Sequence, residues 1–443
     1  MTSHAELLQD LVAAARRAGA DAADALLVAS ASLSVQRRLG KIEQLERAEG
    51  FDLGLRVFLG QRQAIVASTD PSPRGFQALA ERAVAMAKVV PEDPFAGLPE
   101  APDGLIASAL ELEDPSEPSA EDLIARCAAA EDAALAIQGV TNSEGADAGF
   151  SRYTIALAAS NGFAGEYART SHSISATALA GQGTGMERDY DYASAVFLAD
   201  LEDAAAIGRR AGEKAVARLN PTRPKTARIP VVYDPRVATS LLGHLAGAIN
   251  GAAVARGTSF LRDRLGQRVM APGVSVIDDP TRRRGFRSRP FDGEGMQGIR
   301  RSIVEDGVLT TWILDWRSAR QLGMASTGHA SRGTGGPPGP APTNLYLAPG
   351  SLTPTALMAD IREGLYVTEL IGMGVNGVTG DYSRGAAGFM IRDGALAEPV
   401  SEVTIAGNVK DMLLHMTPAD DLEFRRGTDS PTVRVEGLTM AGG

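Results

Sequence analysis

A chain of 443 residues with 44% hydrophobic and 22% charged residues is long enough for two or three globular domains, and it is neither disordered nor fibrous. Its single cysteine, Cys127, excludes an internal disulfide framework and any multi-cysteine metal site. The first ten residues mix acidic side chains with the first apolar ones, which is not typical of a signal peptide. We therefore expect a cytoplasmic protein.

The net charge of −10 is unevenly distributed along the chain. Residues 101–150 hold eleven acidic side chains and one basic one, whereas residues 201–300 hold eighteen basic and nine acidic ones. Opposed charges of this kind favour internal docking, subunit assembly or steering of an acidic ligand. A pI of about 5.2 argues against a dedicated nucleic-acid binder. We interpret one basic cluster as a solvated or interface face: Arg282, Arg283, Arg284, Arg287 and Arg289.

The first predicted domain, residues 1–92, combines helices and strands. Apolar residues at helical spacing predict an opening amphipathic helix around Leu7, Leu8, Leu11, Val12 and Ala15. Alternating or apolar runs predict three strands, over 32–37, 53–59 and 64–68, and the last two form a hairpin. A second amphipathic helix is predicted over 74–89. Proline, glycine and acidic residues then predict a linker over 93–104.

The second predicted domain, residues 105–222, is also a mixture of helices and strands. Ser119 followed by acidic residues predicts the start of a helix over 120–137. The Asn161–Gly162 pair predicts a hairpin between strands over 153–159 and 171–180. A helix over 203–219 completes the domain.

The third predicted domain, residues 223–443, is richer in strands and glycine. A buried-type strand over 229–233 precedes an uncharged helix over 237–255, whose polar residues argue against a membrane span. Asp-Gly pairs predict type I′ hairpins over 303–309 and 391–396. The predicted fold class is therefore α+β and multi-domain, with N-terminal mixed helix/sheet domains and a strand-rich C-terminal domain with antiparallel hairpins.

The residue pattern itself predicts no catalytic or metal site. No two of the five histidines stand at the i, i+3 or i, i+4 spacing that places two imidazoles on one helix face: His4, His172, His244, His329 and His415. There is no Gly-x-Ser-x-Gly motif, and Cys127 lies in an alanine-rich helical stretch that favours a buried, inert thiol.

A row of glycines is the sharpest pattern in the uncharged helix. Gly243, Gly247 and Gly251 recur every four residues and therefore share one face. Each costs about 1 kcal/mol of helix propensity, so something must offset the cost. Two interpretations stay open: close packing against the domain's own sheet, or a surface that lines a groove or a subunit contact.

Several segments together resemble the TldD/PmbA family, and within it the PmbA branch, also called TldE. Residues 36–69 resemble its N-terminal domain. Five further segments resemble its C-terminal domain: 291–309, 326–332, 342–350, 377–391 and 398–408. The resemblance covers nearly the whole chain.

The resemblance also implies what this chain lacks. The family's catalytic member resembles a zinc peptidase with a His-Glu-x-x-x-His helix, a Gly-Thr-Ser sequence soon after it and a later cysteine ligand. Counted back from Gly257-Thr258-Ser259, the matching positions here are Leu242, Gly243 and Gly247, and His244 stands at a non-ligand position. The resemblance therefore implies no catalytic residue, no metal and no cofactor in this chain, with zinc in a partner subunit.

By the same resemblance, the chain is expected to be a noncatalytic subunit that pairs with a TldD-type subunit in a cytoplasmic peptidase. That complex degrades unfolded peptides or trims leader peptides, and this chain supplies a wall of its chamber. Extended peptides are expected to bind by pairing with an edge strand. The family has also been described as a modulator of DNA gyrase, which we interpret as an indirect effect of proteolysis without direct nucleic-acid binding.

Two other functions stay open: a stand-alone homodimeric binding or scaffold protein, and a cryptic metal-independent hydrolase. The residues predicted to line the peptide- or partner-binding surface are the three glycines of the row together with Gly257, Thr258, Ser259, Thr343 and Asn344. The alternative for these residues is that they form turns and caps.

Overall fold

The computed structural model describes residues 3–100 and 110–442. Residues 1–2, 101–109 and 443, which include part of the predicted linker and the start of the predicted middle domain, lie outside the described residues. The helices are α1 His4–Arg17, α2 Phe76–Ala87, α3 Ala120–Leu135, α4 Ala204–Ala217, α5 Pro235–Ala248, α6 Gly251–Ala255, α7 Trp316–Leu322, α8 Pro354–Met358 and α9 Val409–Leu414.

Strands fall into an N-terminal and a C-terminal group. The N-terminal strands are β1 Ala22–Arg38, β2 Lys41–Leu59, β3 Arg62–Ser68, β4 Val140–Ala159, β5 Ala164–Ala180 and β6 Glu187–Ala195. The C-terminal strands are β7 Ala227–Tyr233, β8 Val276–Asp278, β9 Arg301–Glu305, β10 Val308–Leu309, β11 Ala330–Ser331, β12 Gly339–Pro340, β13 Leu345–Leu347, β14 Glu363–Ile371, β15 Asp381–Arg392, β16 Ala395–Asn408, β17 Met416–Pro418, β18 Thr428–Asp429 and β19 Val433–Ala441. Mixed α+β structure with antiparallel hairpins confirms the predicted fold class.

One antiparallel sheet joins the first two predicted domains. Its strand order is β3-β2-β1-β4-β5-β6, so β1 of the first region pairs with β4 of the second. Ala25 and Leu27 of β1 pack with α1 and α2, whereas Val35 packs with α3 and α4. Because alternate residues of a strand point to the same side, both helix pairs cover one face. Leu26 points to the other face and packs with Phe291 of the C-terminal region.

The β1–β2 hairpin is much longer than the predicted strands. Leu39 and Gly40 have φ values of 47° and 79°, which turn the chain between the two strands. Residues 41–50 are exposed and mostly polar. They therefore lack the alternation of apolar and polar residues by which a half-buried strand is predicted. The outer edge of residues 41–52 has no strand partner in the described part of the chain, because β3 pairs with β2 only from Leu53 onward.

Local capping and turn signals give correct element positions. Ser119 and Asp122 form the capping box of α3, and Asp203 caps α4. The predicted hairpin around Asn161–Gly162 is confirmed between longer strands, β4 and β5.

Both predicted Asp-Gly hairpins are confirmed. Asp306 and Gly307 have φ values of 46° and 77° between β9 and β10. Asp393 and Gly394 have φ values of 48° and 82° between β15 and β16. Positive φ at both central residues is the type I′ geometry.

The C-terminal region is built from two larger sheets around a common core. One has the order β16-β15-β14-β7-β19-β17, and a further pairing of β16 with β19 closes it on itself. The other has the order β10-β9-β8-β13-β18. Apolar residues of both sheets and of α5 form one cluster, so α5 lies against the core with one face buried.

The predicted uninterrupted helix over 237–255 is wrong. It is broken into α5 and α6, because Gly251 N–H donates to the Ile313 carbonyl at 2.8 Å instead of continuing the helix. The Asn250 side chain accepts from Ala252 N and Ala253 N at 3.0 and 3.2 Å and starts α6. Among the helices of residues 3–100 and 110–442, none has the length and apolar character needed to cross a bilayer.

A buried ion cluster ties the N-terminal sheet to the C-terminal region. Asp24 accepts from Arg56 Nε at 3.0 Å and from Arg332 Nη1 at 2.7 Å, and Asp24 is 1% exposed. Burial opposes ionisation, but the charges of Arg332 and Arg56 hold the pKa of Asp24 below its usual value. Asp24 is therefore the common anion for two buried cations from different regions.

The substitution Asp24→Ala is expected to lower the free energy of unfolding by about 3–5 kcal/mol, because it leaves two buried guanidinium groups without their anion. Glu363→Ala, which removes the partner of Arg392 from an exposed ion pair, is expected to cost no more than about 1 kcal/mol. Urea denaturation followed by circular dichroism measures both. Equal, small losses for the two variants would contradict the role of Asp24.

Candidate functional site

A cleft of about 260 Å³ lies between α5 and the segment that joins β14 to β15. We call it the α5 cleft and define it by the residues that carry its chemistry and shape: Gly243, His244, Gly247, Thr258, Phe260, Met373, Val375 and Arg384. Phe260 N donates to the Gly377 carbonyl at 3.0 Å, which holds the two sides together. One wall of the cleft is therefore the helix that the family resemblance aligns with the metal-binding helix of the catalytic member.

The rotation of α5 decides which residues face the cleft. Asp234 caps the helix by accepting from Arg236 N, and Pro235 occupies its first turn. Leu242 is 1% exposed and packs in the core, as Leu241 and Leu245 do. The position matching the family's first zinc-binding histidine therefore points away from the cleft.

The glycine row divides into two parts. A Cβ atom added to Gly243 or Gly247 would meet nothing within 4 Å, so these two glycines border open space. A Cβ atom on Gly251 would lie 2.4 Å from Leu314 Cδ2 and 2.9 Å from the Ile313 carbonyl. Gly251 therefore serves close packing and does not line the cleft, whereas Gly243 and Gly247 leave room for a ligand.

The Gly257-Thr258-Ser259 segment links the end of α6 to the cleft. Gly257 has a φ of +72° and ends α6, a backbone conformation that favours glycine. Thr258 lines the cleft, and its hydroxyl donates to the Ala253 carbonyl at 3.2 Å. Ser259 is buried, donates to the Ala248 carbonyl and accepts from Leu261 N, so it holds the backbone rather than facing a ligand.

Thr343 and Asn344 lie elsewhere, inside the protein. Thr343 is 2% exposed, and both its backbone N and its hydroxyl donate to the carboxylate of Asp278. Asn344 is 1% exposed and donates to the Asp279 carbonyl and to Ser288 Oγ. Neither residue lines the α5 cleft.

The same buried region contains a hydroxyl–imidazole–carboxylate chain. His329 lies 2.9 Å from Thr327 Oγ1 through Nδ1 and 3.0 Å from Asp278 Oδ2 through Nε2. The Thr327 hydroxyl already accepts from Leu314 N, and all three side chains are buried. We interpret the chain as structural, because a nucleophile must reach a substrate.

The sequence did not predict two polar side chains of the cleft, His244 and Arg384, as functional residues. Burial, and then the charge of Arg384, lower the pKa of His244 below its usual 6.5, so the imidazole is neutral at pH 7. Arg384 belongs to the 377–391 segment that carries the family resemblance, which is the only sequence signal that marks it. Its meeting with His244 depends on the packing of α5 against β15.

The side chains of the cleft do not fit a catalytic zinc ion. Such sites take three protein ligands from histidine, cysteine and carboxylate side chains. Among the described residues, His244 is the one side chain of that kind lining the cleft, and the guanidinium of Arg384 repels a cation. Within residues 3–100 and 110–442, no group of three or more potential ligand side chains is close enough to hold a metal.

Family models match three consecutive parts of the chain. Residues 23–87 match PmbA/TldA metallopeptidase domain 1, residues 113–219 match the central domain and residues 226–442 match the C-terminal domain. The chain is 36% identical to "Metalloprotease PmbA" of Escherichia coli O157:H7, covering 95% of this chain and 92% of that protein. It is 35% identical to a "Metalloprotease PmbA homolog" of Haemophilus influenzae, covering 97% and 94%.

Solved structures share the whole fold. A candidate modulator of DNA gyrase from Bacteroides thetaiotaomicron has a TM-score of 0.91 and 25% identity, with complete coverage of both chains. TldE of Thermococcus kodakarensis has a TM-score of 0.88 and 20% identity, covering 98% of this chain and 99% of that one. The second likeness concerns the fold alone.

The substitution Gly243→Ala is expected to raise the free energy of unfolding by about 0.5–1 kcal/mol, because alanine favours the helix and its methyl group meets open space. Gly251→Ala is expected to lower it by about 1–3 kcal/mol, because its methyl group would overlap Leu314. Chemical denaturation of both variants measures the difference. A loss of stability in Gly243→Ala would show that this glycine is needed for packing.

Proposed function

Because the chain belongs to the PmbA/TldD metallopeptidase family, we propose that it is the noncatalytic subunit of a peptidase whose zinc site is carried by a TldD-type partner. One observation carries the proposal: the helix at the family's metal position has Leu242, Gly243 and Gly247 where the catalytic pattern has two imidazoles and a carboxylate. Glycine at position 243 leaves this chain without the general-base carboxylate of the catalytic pattern.

An exposed apolar segment beside the cleft supports contact with a partner subunit. Ile371, Met373 and Val378 are 61%, 94% and 57% exposed and lie at or after the end of β14. Exposed apolar side chains close together in the chain are typical of protein–protein contacts. We propose that the 371–378 segment packs against the TldD-type subunit, so that the α5 cleft opens toward the shared chamber.

Binding of unfolded or extended peptides has support from the free edge of β2. The outer N–H and C=O groups of residues 41–52 are not paired with another strand among the described residues. An extended peptide is able to add a strand at such an edge through main-chain hydrogen bonds. In the proposed complex, this edge contributes to holding unfolded peptides or leader peptides.

The metal-independent hydrolase finds less support than the peptidase subunit. Its best residues, Thr327, His329 and Asp278, are buried and bonded to the surrounding protein. A homodimeric scaffold would use the same exposed apolar segment. It differs from the proposed subunit because it would assemble without a TldD-type partner.

The cytoplasm remains the proposed location, on the basis of cysteine usage. A gyrase effect, named for the Bacteroides protein, would follow indirectly from proteolysis.

Purified alone, the chain is expected to hold no stoichiometric zinc and to cleave no unfolded peptide. Addition of a TldD-type subunit is expected to give cleavage that a chelator abolishes, because the partner supplies the metal. Metal analysis and a peptide-cleavage assay measure these two properties. A partner with Glu→Gln in its His-Glu-x-x-x-His motif is the matched control and should assemble without cleaving.

Chelator-sensitive cleavage by the isolated chain, together with one zinc ion per chain, would contradict the proposal. A stable homodimer that ignores the TldD-type subunit in native mass spectrometry would favour the scaffold function instead.

The substitution Met373→Glu is expected to weaken association with the TldD-type subunit at least tenfold, because it places a charge within a desolvated contact. Met86→Glu is the matched control, since Met86 is 41% exposed on α2, away from the 371–378 segment. Titration of the labelled partner measures both affinities. Equal affinities for the two variants would remove this segment from the interface.

A further inference from the structure

Two polar side chains of the α5 cleft have buried atoms that lack a hydrogen-bond partner among the described residues. These atoms are His244 Nε2 and Arg384 Nε. The buried hydroxyls of Tyr233 and Tyr382 lie near them and are close enough to interact with each other. The His244 and Tyr382 rings meet edge to face with centroids 6.0 Å apart. Buried polar groups are normally paired, so this group of side chains points to a missing acceptor.

Arg384 is a cation without a counter-ion. It makes no ion pair with any described residue, whereas Arg392 on the same strand contacts Glu363 and Glu398 at 2.6 and 2.8 Å. No aspartate or glutamate of the part of the chain that the structure describes lines the cleft. The cleft is therefore electropositive, and an anion entering it meets no repelling charge from its lining.

The neighbouring side chains are hydrogen-bond donors at neutral pH. Burial raises the pKa of Tyr233 well above its usual value and also raises that of Tyr382, so both hydroxyls keep their protons. Arg384 lies close enough to oppose the rise in both. Neutral His244 retains one N–H. Arg384 and His244 line the cleft itself, whereas Tyr233 and Tyr382 are almost completely buried and are not part of its lining.

The remaining walls suit a short apolar group. Gly243 and Gly247 leave open space on one side, and Phe260, Met373 and Val375 form apolar parts of the lining. A volume of about 260 Å³ is small compared with the roughly 300–1,000 Å³ of typical small-molecule sites. The size fits the end of a chain better than a whole ligand.

We propose that the α5 cleft binds the C-terminal carboxylate of a peptide, with Arg384 as its charged partner, His244 as a second donor and the apolar walls around the last side chain. This inference rests on the proposed function, because it takes peptides as the substrate class. A guanidinium presents paired N–H groups that match a carboxylate. A single cation surrounded by apolar walls fits a monoanion better than a phosphate.

The test is the affinity of the isolated full-length chain for N-terminally labelled apolar hexapeptides, measured by fluorescence anisotropy. Three peptides separate the sources of the carboxylate: a free C-terminal acid, the same peptide as an amide, and an amide with one internal aspartate. The acid is expected to bind at least tenfold more tightly than either amide, because only its terminus supplies both the charge and an adjacent apolar side chain.

Arg384→Gln is expected to lower the affinity for the acid at least tenfold and to leave the plain amide unchanged, whereas Arg384→Lys is expected to retain part of the preference. Arg300→Gln, which alters an exposed arginine of the same region, is the matched control and should bind as the unmodified chain does. Gly247→Leu is expected to abolish acid binding by filling the cleft. Thermal unfolding of each variant verifies that it is folded.

Equal binding of acid and amide, absence of acid binding, or an unchanged affinity in folded Arg384→Gln would overturn the inference. Tight binding of the internal-aspartate amide would overturn the assignment to the C-terminus. The proposed function is measured separately: a chain that shows the acid preference but gives no cleavage with a TldD-type subunit would contradict only that function. Cleavage without any acid preference would contradict only the carboxylate site.

Discussion

The rotation of α5 about its axis determines what this region of the protein is able to bind. Leu241, Leu242 and Leu245 are buried in the C-terminal core and fix that rotation. With the leucines inward, Gly243 and Gly247 face the cleft, where a catalytic zinc helix must present ligand side chains. The packing that stabilises α5 therefore leaves its open face with His244 as its one side chain of the metal-ligand type among the described residues.

The α5 cleft carries a positively charged side chain, whereas a hydrolytic metal site is built from neutral and negatively charged ligands. A catalytic zinc centre needs three protein ligands and a general base, whereas this cleft offers the single imidazole of His244 beside the Arg384 cation. Its fold matches that of the family along almost the entire chain. Because one fold is able to carry different functions, the chemistry of this chain has to be argued from the few side chains that line the cleft.

Local signals in the sequence predict elements well, and long-range packing accounts for what they miss. The Asp306-Gly307 turn depends on backbone preferences of adjacent residues, so the sequence reveals it. The pairing of β1 with β4 joins strands more than a hundred residues apart, and no local pattern indicates it. The break after α5 likewise depends on the distant Ile313 carbonyl. The resemblance to the family indicates the cleft helix in the sequence, whereas the neighbours of Arg384 in the cleft are set by three-dimensional packing.

The division of chemistry between two subunits is tested most directly by anomalous X-ray scattering at the zinc absorption edge. The crystals should contain this chain bound to a TldD-type subunit. The account predicts one zinc peak per pair of subunits, located in the partner, and no peak beside Gly243, His244 and Arg384. A zinc peak at that place in this chain would contradict it.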